Sequence, residues 1–135
     1  MPSAAGNRKI LIIDDEPSVA DTLALIFSSR GYKCRVAYAA ETAVEILAEW
    51  PPDLAIVDVM LPLMNGIEFA IVLLANYPAC RVVLFSGQPD TGRLLEEAGK
   101  KGYHFEVLAK PLHPTLILDT VNNLLFTSKE RPYEA

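Results

Sequence analysis

Four short apolar runs in this chain each stop at a polar or charged residue. Ile10-Leu11-Ile12-Ile13 runs into Asp14-Asp15, Leu54-Ala55-Ile56-Val57 into Asp58, Val82-Val83-Leu84-Phe85 into Ser86, and Val107-Leu108-Ala109 into Lys110-Pro111. Runs this short that are apolar on both faces read as strands of a buried parallel sheet. As parallel strands of one sheet, they would place their carboxyl ends along one edge. Three carboxylates, a hydroxyl and an ammonium would then meet in one pocket. That set suits a divalent metal ion and a phosphoryl group.

The segments between the runs fit this arrangement. The first strand is expected over 9–14, followed by a helix that starts at Pro17, where a missing N–H costs nothing. Val19, Leu23, Ile26 and Phe27 follow at helical spacing, and Gly31 supplies a left-handed stop. Cys34, Val36 and Tyr38 alternate over 33–38, and this more polar alternation predicts an edge strand. A second helix is expected over 40–50, with Ala43, Val44, Ile46 and Leu47 inward, before Pro51-Pro52 stops it. The third strand (54–57), a loop over 60–66, a third helix ending near Tyr77-Pro78 and a fourth strand (81–85) come next. A fourth helix over 91–101 carries Gly92 and Gly99, which predicts the weakest helix of the set. A fifth strand over 105–108 and a last helix over 114–126, with Leu116, Ile117, Val121, Leu124 and Leu125 inward, complete the pattern. A strand–helix unit repeated this way gives an α/β fold with a five-stranded parallel sheet and right-handed crossovers.

The 135 residues fit one domain that can bury a real core. Boundaries are expected at 9–127, with an N-terminal tail over 1–8 and a polar C-terminal tail over 128–135. The net charge of −5 and the absence of a basic concentration give no footprint for a nucleic-acid partner. No run approaches the roughly 18 apolar residues of a membrane span. Cys34 and Cys80 form no metal-like pair and read as core residues in a reducing compartment. A soluble, cytoplasmic protein is therefore expected. His104 and His113 have no companion at metal-ligand spacing.

The pocket has its own electrostatic requirement. Two carboxylates about 5 Å apart repel by roughly 3 kcal/mol at an effective dielectric near 20. Three need a cation or a proton, and oxygen-only ligands select a hard ion, with Mg2+ the usual one.

These residues carry a resemblance. Ile13-Asp14-Asp15-Glu16-Pro17, Val57-Asp58-Val59-Met60-Leu61-Pro62-Leu63-Met64-Asn65-Gly66, Phe85-Ser86-Gly87 and Ala109-Lys110-Pro111 together resemble the receiver domain of two-component response regulators. Each piece alone is weak, but all four fall in family order. The resemblance implies a flavodoxin-like sandwich of strand order 2-1-3-4-5. It implies that Asp58 accepts a phosphoryl group from the phosphohistidine of a sensor histidine kinase or phosphotransfer protein. Asp14, Asp15, Asp58 and the backbone carbonyl of Met60 would hold Mg2+. Lys110 and Ser86 would contact phosphoryl oxygens, and Lys110-Pro111 would be a cis peptide. The expected consequences are altered binding of a downstream protein, or homodimerisation through helix 4, strand 5 and helix 5. Met60 and Gln88 occupy places that influence water access to the acyl phosphate.

The chain departs from the family at the switch. Val107 stands where the family carries an aromatic residue, and Phe105 shares its side of a strand. Phe105, Val107 and Ser86 are therefore the candidate switch residues. Each site residue also has a plainer reading. Asp14 is a potential helix cap, Asp58 a turn former, Ser86-Gly87 an ordinary turn pair and Lys110 a solvated lysine. Met60, Leu63 and Met64 suit either kinase docking or packing on the third helix. A degenerate interaction module without phosphorylation is one alternative function. A Mg2+-dependent aspartyl-phosphate phosphatase is another, disfavoured because Met60 cannot transfer a proton where such enzymes place a second acid. The primary expectation is a stand-alone phosphoacceptor switch rather than an enzyme.

Overall fold

The structure, a computed structural model, describes residues 8–87, 91–111 and 113–126. Strands and helices alternate as β1 (Lys9–Ile13), α1 (Pro17–Ser29), β2 (Lys33–Ala37), α2 (Ala40–Glu49), β3 (Leu54–Asp58), α3 (Gly66–Asn76), β4 (Arg81–Ser86), α4 (Thr91–Lys100), β5 (Glu106–Ala109) and α5 (Pro114–Leu125). The five strands form one parallel sheet in the order β2-β1-β3-β4-β5. This is the expected class and topology, with element ends displaced by a residue or two. The expected tails, Arg8 apart, and Gln88 lie outside the described residues.

Side chains along each strand alternate between two cores. Ile10, Ile12, Ile56, Val83 and Phe85 pack with Leu23 and Phe27 of α1 and Ile117 and Val121 of α5. Leu11, Ile13, Val57 and Leu84 pack with Leu47 of α2, Phe69 and Leu73 of α3 and Ala98 of α4. Helices therefore cover both faces, and β3 is buried at every position. The β2 strand is half-buried or exposed over most of its length, as its polar alternation predicts for an edge. Pro17 opens α1, and Gly31 follows its end with φ of 94°.

Two expected inward residues face solvent instead. Val44 is 55% exposed and Leu116 is 50% exposed. In each case the buried stripe is carried by i, i+4 pairs, Ala43 with Leu47 and Ile117 with Val121. Residues one step away fall about 100° around the helix, beyond the stripe's edge. Strand β5 also begins one residue later than expected, because its pairing starts with Glu106 opposite Val83. Phe105 thus lies just before the strand. Cys34 sits in β2 and Cys80 just ahead of β4, both free, with β1 and β3 between those strands. Burial pushes the Cys80 thiol up to about 12. Among the described residues, no helix is long and apolar enough to cross a membrane.

The α4 helix buries only Thr91 and Ala98. A Cβ added at Gly92 would meet nothing within 4 Å. Gly92→Ala is therefore expected to stabilise the protein by about 0.4–1 kcal/mol, mainly by restricting the unfolded chain. Urea denaturation of both proteins checks the sign.

Candidate functional site

The sheet edge brings the chemical groups together through ladder bonds that continue past the strands. The Asp14 N–H donates to Ala37 O at 3.1 Å, Val59 N–H to Phe85 O at 3.0 Å and Lys110 N–H to Ser86 O at 2.9 Å. These bonds fix the backbone on either side of the pocket. Neighbouring strands lie about 4.8 Å apart. Asp14 at the end of β1 and Asp58 at the end of β3 therefore cannot avoid each other. The Asp14 carboxylate is fully buried, and Asp58 is 2% exposed.

Lys110 reaches across from β5. Its Nζ lies 3.2 Å from Asp58 Oδ2 and 3.4 Å from both Asp14 Oδ2 and Glu16 Oε1. The same ammonium stands 4.8 Å from the centroid of the Phe85 ring, a cation–π contact that supports it from β4. The other oxygens of the buried acids are held by backbone. Met60 N–H donates to Asp58 Oδ1 at 3.0 Å, and Glu16 N–H donates to Asp14 Oδ1 at 2.9 Å. Asp14 thus shapes the turn into α1, while Glu16 is the N-cap residue and makes no side-chain cap.

The acidic group differs in one member from the expected set. The carboxylate oxygens that lie within 4.8 Å of one another belong to Asp14, Glu16 and Asp58. Asp15 is exposed and lines the mouth of the pocket, a cavity of about 440 Å³ shared with Glu16, Asp58, Met60 and Lys110. The reason is local. Glu16 keeps an extended backbone, with φ of −94° and ψ of 103°. The chain bends at Asp15, and the Glu16 N–H donates to Asp14 Oδ1, which keeps residues 14 and 16 together at the pocket.

The electrostatics suit a cation. Burial, chiefly, raises the Asp14 carboxyl from 3.8 to about 6; the Glu16 N–H opposes this, and the Asp58 charge adds to it. Burial pulls the Lys110 ammonium down, but the Asp58 charge and then Asp14 and Glu16 outweigh it, so its pKa ends raised. A buried carboxylate raised this far gains by meeting a cation. An all-oxygen donor set of this kind fits a hard divalent ion such as Mg2+.

The loop from β3 to α3 folds tightly against Asp58. Gly66 N–H donates to Val59 O at 2.7 Å, and Met60 bridges to Asn65. A Cβ at Gly66 would stand 2.0 Å from the Asp58 carbonyl oxygen. At the loop tip Leu63 is 99% exposed with φ of 69°, and Met60 and Met64 are exposed beside it. At the end of β4, Ser86 is buried, and its hydroxyl contacts the Thr91 hydroxyl at 2.5 Å. The Lys110-Pro111 peptide is cis.

The family model of the response regulator receiver domain matches residues 10–122. The chain belongs to that family. It is 30% identical over 129 residues to the DNA-binding response regulator MtrA of Mycolicibacterium smegmatis, covering 94% of this chain and 54% of that protein. A putative response regulator from Chloroflexus aurantiacus is 28% identical, with a TM-score of 0.75 over 93% of this chain and 98% of that one. A CheY-like receiver domain protein from Methanospirillum hungatei, 23% identical, shares the fold with a TM-score of 0.78 over 89% of this chain and 94% of that one. The chain spans about half the length of the MtrA relatives it matches. Those relatives are named as DNA-binding. The expectation of no nucleic-acid partner therefore has no support for a longer protein built on this domain.

As a receiver domain the chain is a signalling module, and its switch candidates sit unequally. Ala109 pairs with Ser86 and Val107 with Leu84, so Val107 lies two residues down the strand from the pocket. Phe105 lies about 13 Å down the strand direction from Ala109, at about 3.3 Å per residue. Its ring stacks on Tyr103, with centroids 6.4 Å apart and planes 8° apart. Both Phe105 and Val107 pack on the core beneath α3 and α4, so they share a face as expected. Only Val107 is near the site.

Two substitutions test this geometry. Gly66→Ala is expected to cost about 1–3 kcal/mol, since its nearest obstacle is backbone that cannot rotate away; denaturant midpoints check it. Asp14 supplies the second. Its folded pKa is raised, so its contribution is fully present below about pH 4 and is lost as pH rises through about 6. Without divalent metal, Asp14→Asn should be more stable than the parent at pH 7, by on the order of 3 kcal/mol at about 1.4 kcal/mol per pKa unit. The difference should close below pH 4, and parallel urea curves across pH measure it.

Proposed function

We propose that this receiver domain accepts a phosphoryl group on Asp58 from the phosphohistidine of a sensor histidine kinase or phosphotransfer protein. The observation that carries the reading is the Lys110 ammonium, held within 3.4 Å of three carboxylates beside an open pocket. An Asp58 oxygen attacks phosphorus. The N–P bond of the donor breaks as the O–P bond forms, and the histidine nitrogen leaves with the electron pair and takes up a proton. Asp14, Asp15, Asp58 and the Met60 carbonyl are the groups that would hold Mg2+. When bound, the ion neutralises charge on the transferring phosphoryl oxygens.

This chain's own residues supply the rest. Lys110 pairs with one phosphoryl oxygen and the Ser86 hydroxyl donates to another. The Met60 N–H, already on Asp58 Oδ1, keeps the carboxylate oriented. The phosphorylated group carries about one unit more negative charge than the aspartate it replaces. Ser86 contacts Thr91, the first residue of α4, so a change at Ser86 bears on that helix. The surface of α4, β5 and α5 is the proposed site of altered partner binding or of pairing with a second copy. On this reading, residues 9–127 form the switching unit, with tails at 1–8 and 128–135. It acts in the cytoplasm and is not an enzyme toward other substrates, although it supports its own phosphorylation and slow hydrolysis.

Incubation with acetyl phosphate and Mg2+, followed by intact-mass measurement, tests the reading. One phosphoryl adduct is expected, absent in Asp58→Ala and absent when the metal is chelated. No adduct in the parent protein would leave a degenerate interaction module, and rapid turnover of many phosphate esters a phosphatase.

A further inference from the structure

The Lys110 ammonium has three anionic neighbours of different character. Asp14 and Asp58 are buried, and backbone N–H groups fix one oxygen of each. Glu16 is the exception: its side chain is 61% exposed and lies on the solvent side of an ammonium whose own side chain is 20% exposed. Phe85 lies under the ammonium at 4.8 Å. Glu16 is thus the exposed carboxylate among the three, at a position on the ammonium that an incoming anion entering the open pocket could share. Glu16 and Lys110 also share the rim of an adjoining groove of about 490 Å³ between α1 and the start of α5, so their ion pair stands between two open concavities.

We propose that Glu16 is a positioning residue that holds the Lys110 ammonium at the mouth of the pocket and gives up its place to the arriving phosphoryl group. The inference rests on Asp58 being the phosphoacceptor. Glu16 Oε1, 3.4 Å from Nζ, stands in for a phosphoryl oxygen. While it is there, Glu16 shares the ammonium with Asp58 and Asp14. When a phosphoryl group arrives, one ion pair is exchanged for another and Glu16 turns into solvent. No rearrangement of the buried groups is needed. Glu16 thus acts as a built-in competitor that sets how much phosphoryl donor is required.

The test uses beryllofluoride, a stable phosphoryl mimic, titrated at a Mg2+ concentration shown separately to saturate each protein. Glu16→Gln removes the charge. Glu16→Asp keeps the charge but shortens the side chain by about 1.5 Å, one carbon–carbon bond, which takes the carboxylate out of contact. Both should reach half-saturation at about two- to fivefold lower beryllofluoride than the parent, the range of an exposed ion pair. Both should also label faster with acetyl phosphate at low donor concentration. Unchanged half-saturation in both variants, with Asp58 labelling intact, overturns the inference and leaves the phosphoacceptor reading standing. A shift in Glu16→Gln alone points to a long-range field instead of contact and also overturns it, as does weaker binding in either variant. A parent protein that neither labels nor binds beryllofluoride overturns both readings.

Discussion

The structure depends on how like charges forced together at a sheet edge are kept from driving it apart. Parallel pairing of β1 with β3 sets Asp14 and Asp58 about one strand spacing apart. The apolar residues that make those strands form the sheet leave no freedom to separate the acids. Relief comes from β5, on the far side of β4. The Lys110 side chain is long enough to span that gap with a charge at its end, and the Phe85 ring gives its ammonium a face to rest on. The arrangement joins four strand ends into one electrostatic unit. Burial is the main reason the Asp14 carboxyl is raised, and the Asp58 charge forced beside it adds to this, while Lys110 works against it.

Three carboxylates against one ammonium leave the pocket short of positive charge, and that shortage has a use. A site balanced within itself would have no affinity for a hard cation. A site with more acids and no lysine would bind the cation but present nothing to a phosphoryl oxygen. Here backbone donors hold one oxygen of each buried acid while the Lys110 ammonium stands between buried and exposed partners. On the proposed reading, donors already in place before the reacting group arrives need no reorganisation at the moment of transfer. The tight turn at Gly66 serves the same end, because it brings the Met60 N–H against Asp58 and leaves no room for a side chain behind it.

Much of this was legible in the sequence. Buried strands show as unbroken apolar runs, and the residue that ends each run marks its carboxyl end. Fold, strand order and the meeting of Asp14, Asp58 and Lys110 follow from those runs together with the family resemblance. Two kinds of detail were not legible. Val44 and Leu116 are apolar, and only the exact turn of each helix against the sheet decides that they face water. Phe105 lies at a strand end set by pairing with β4, which hydrophobicity does not reveal. A ring there, stacked on Tyr103 and well below Ser86, is poorly placed to exchange positions directly with a side chain in the pocket.

Glu16 is a different case, since a local bend that hydrophobicity does not reveal brings it to the pocket. The chain turns at Asp15, whose side chain is exposed, and the Glu16 N–H donates to Asp14 Oδ1, one residue before Pro17 begins α1. Proline at that position ties the extended stretch to the helix start, because it disfavours helical backbone in the residue before it. The short segment from strand to helix therefore delivers two acids to Lys110 and one to the rim. Asp14 is buried with one oxygen held by backbone, whereas Glu16 is exposed, and it is this difference that the proposed exchange at Lys110 draws on.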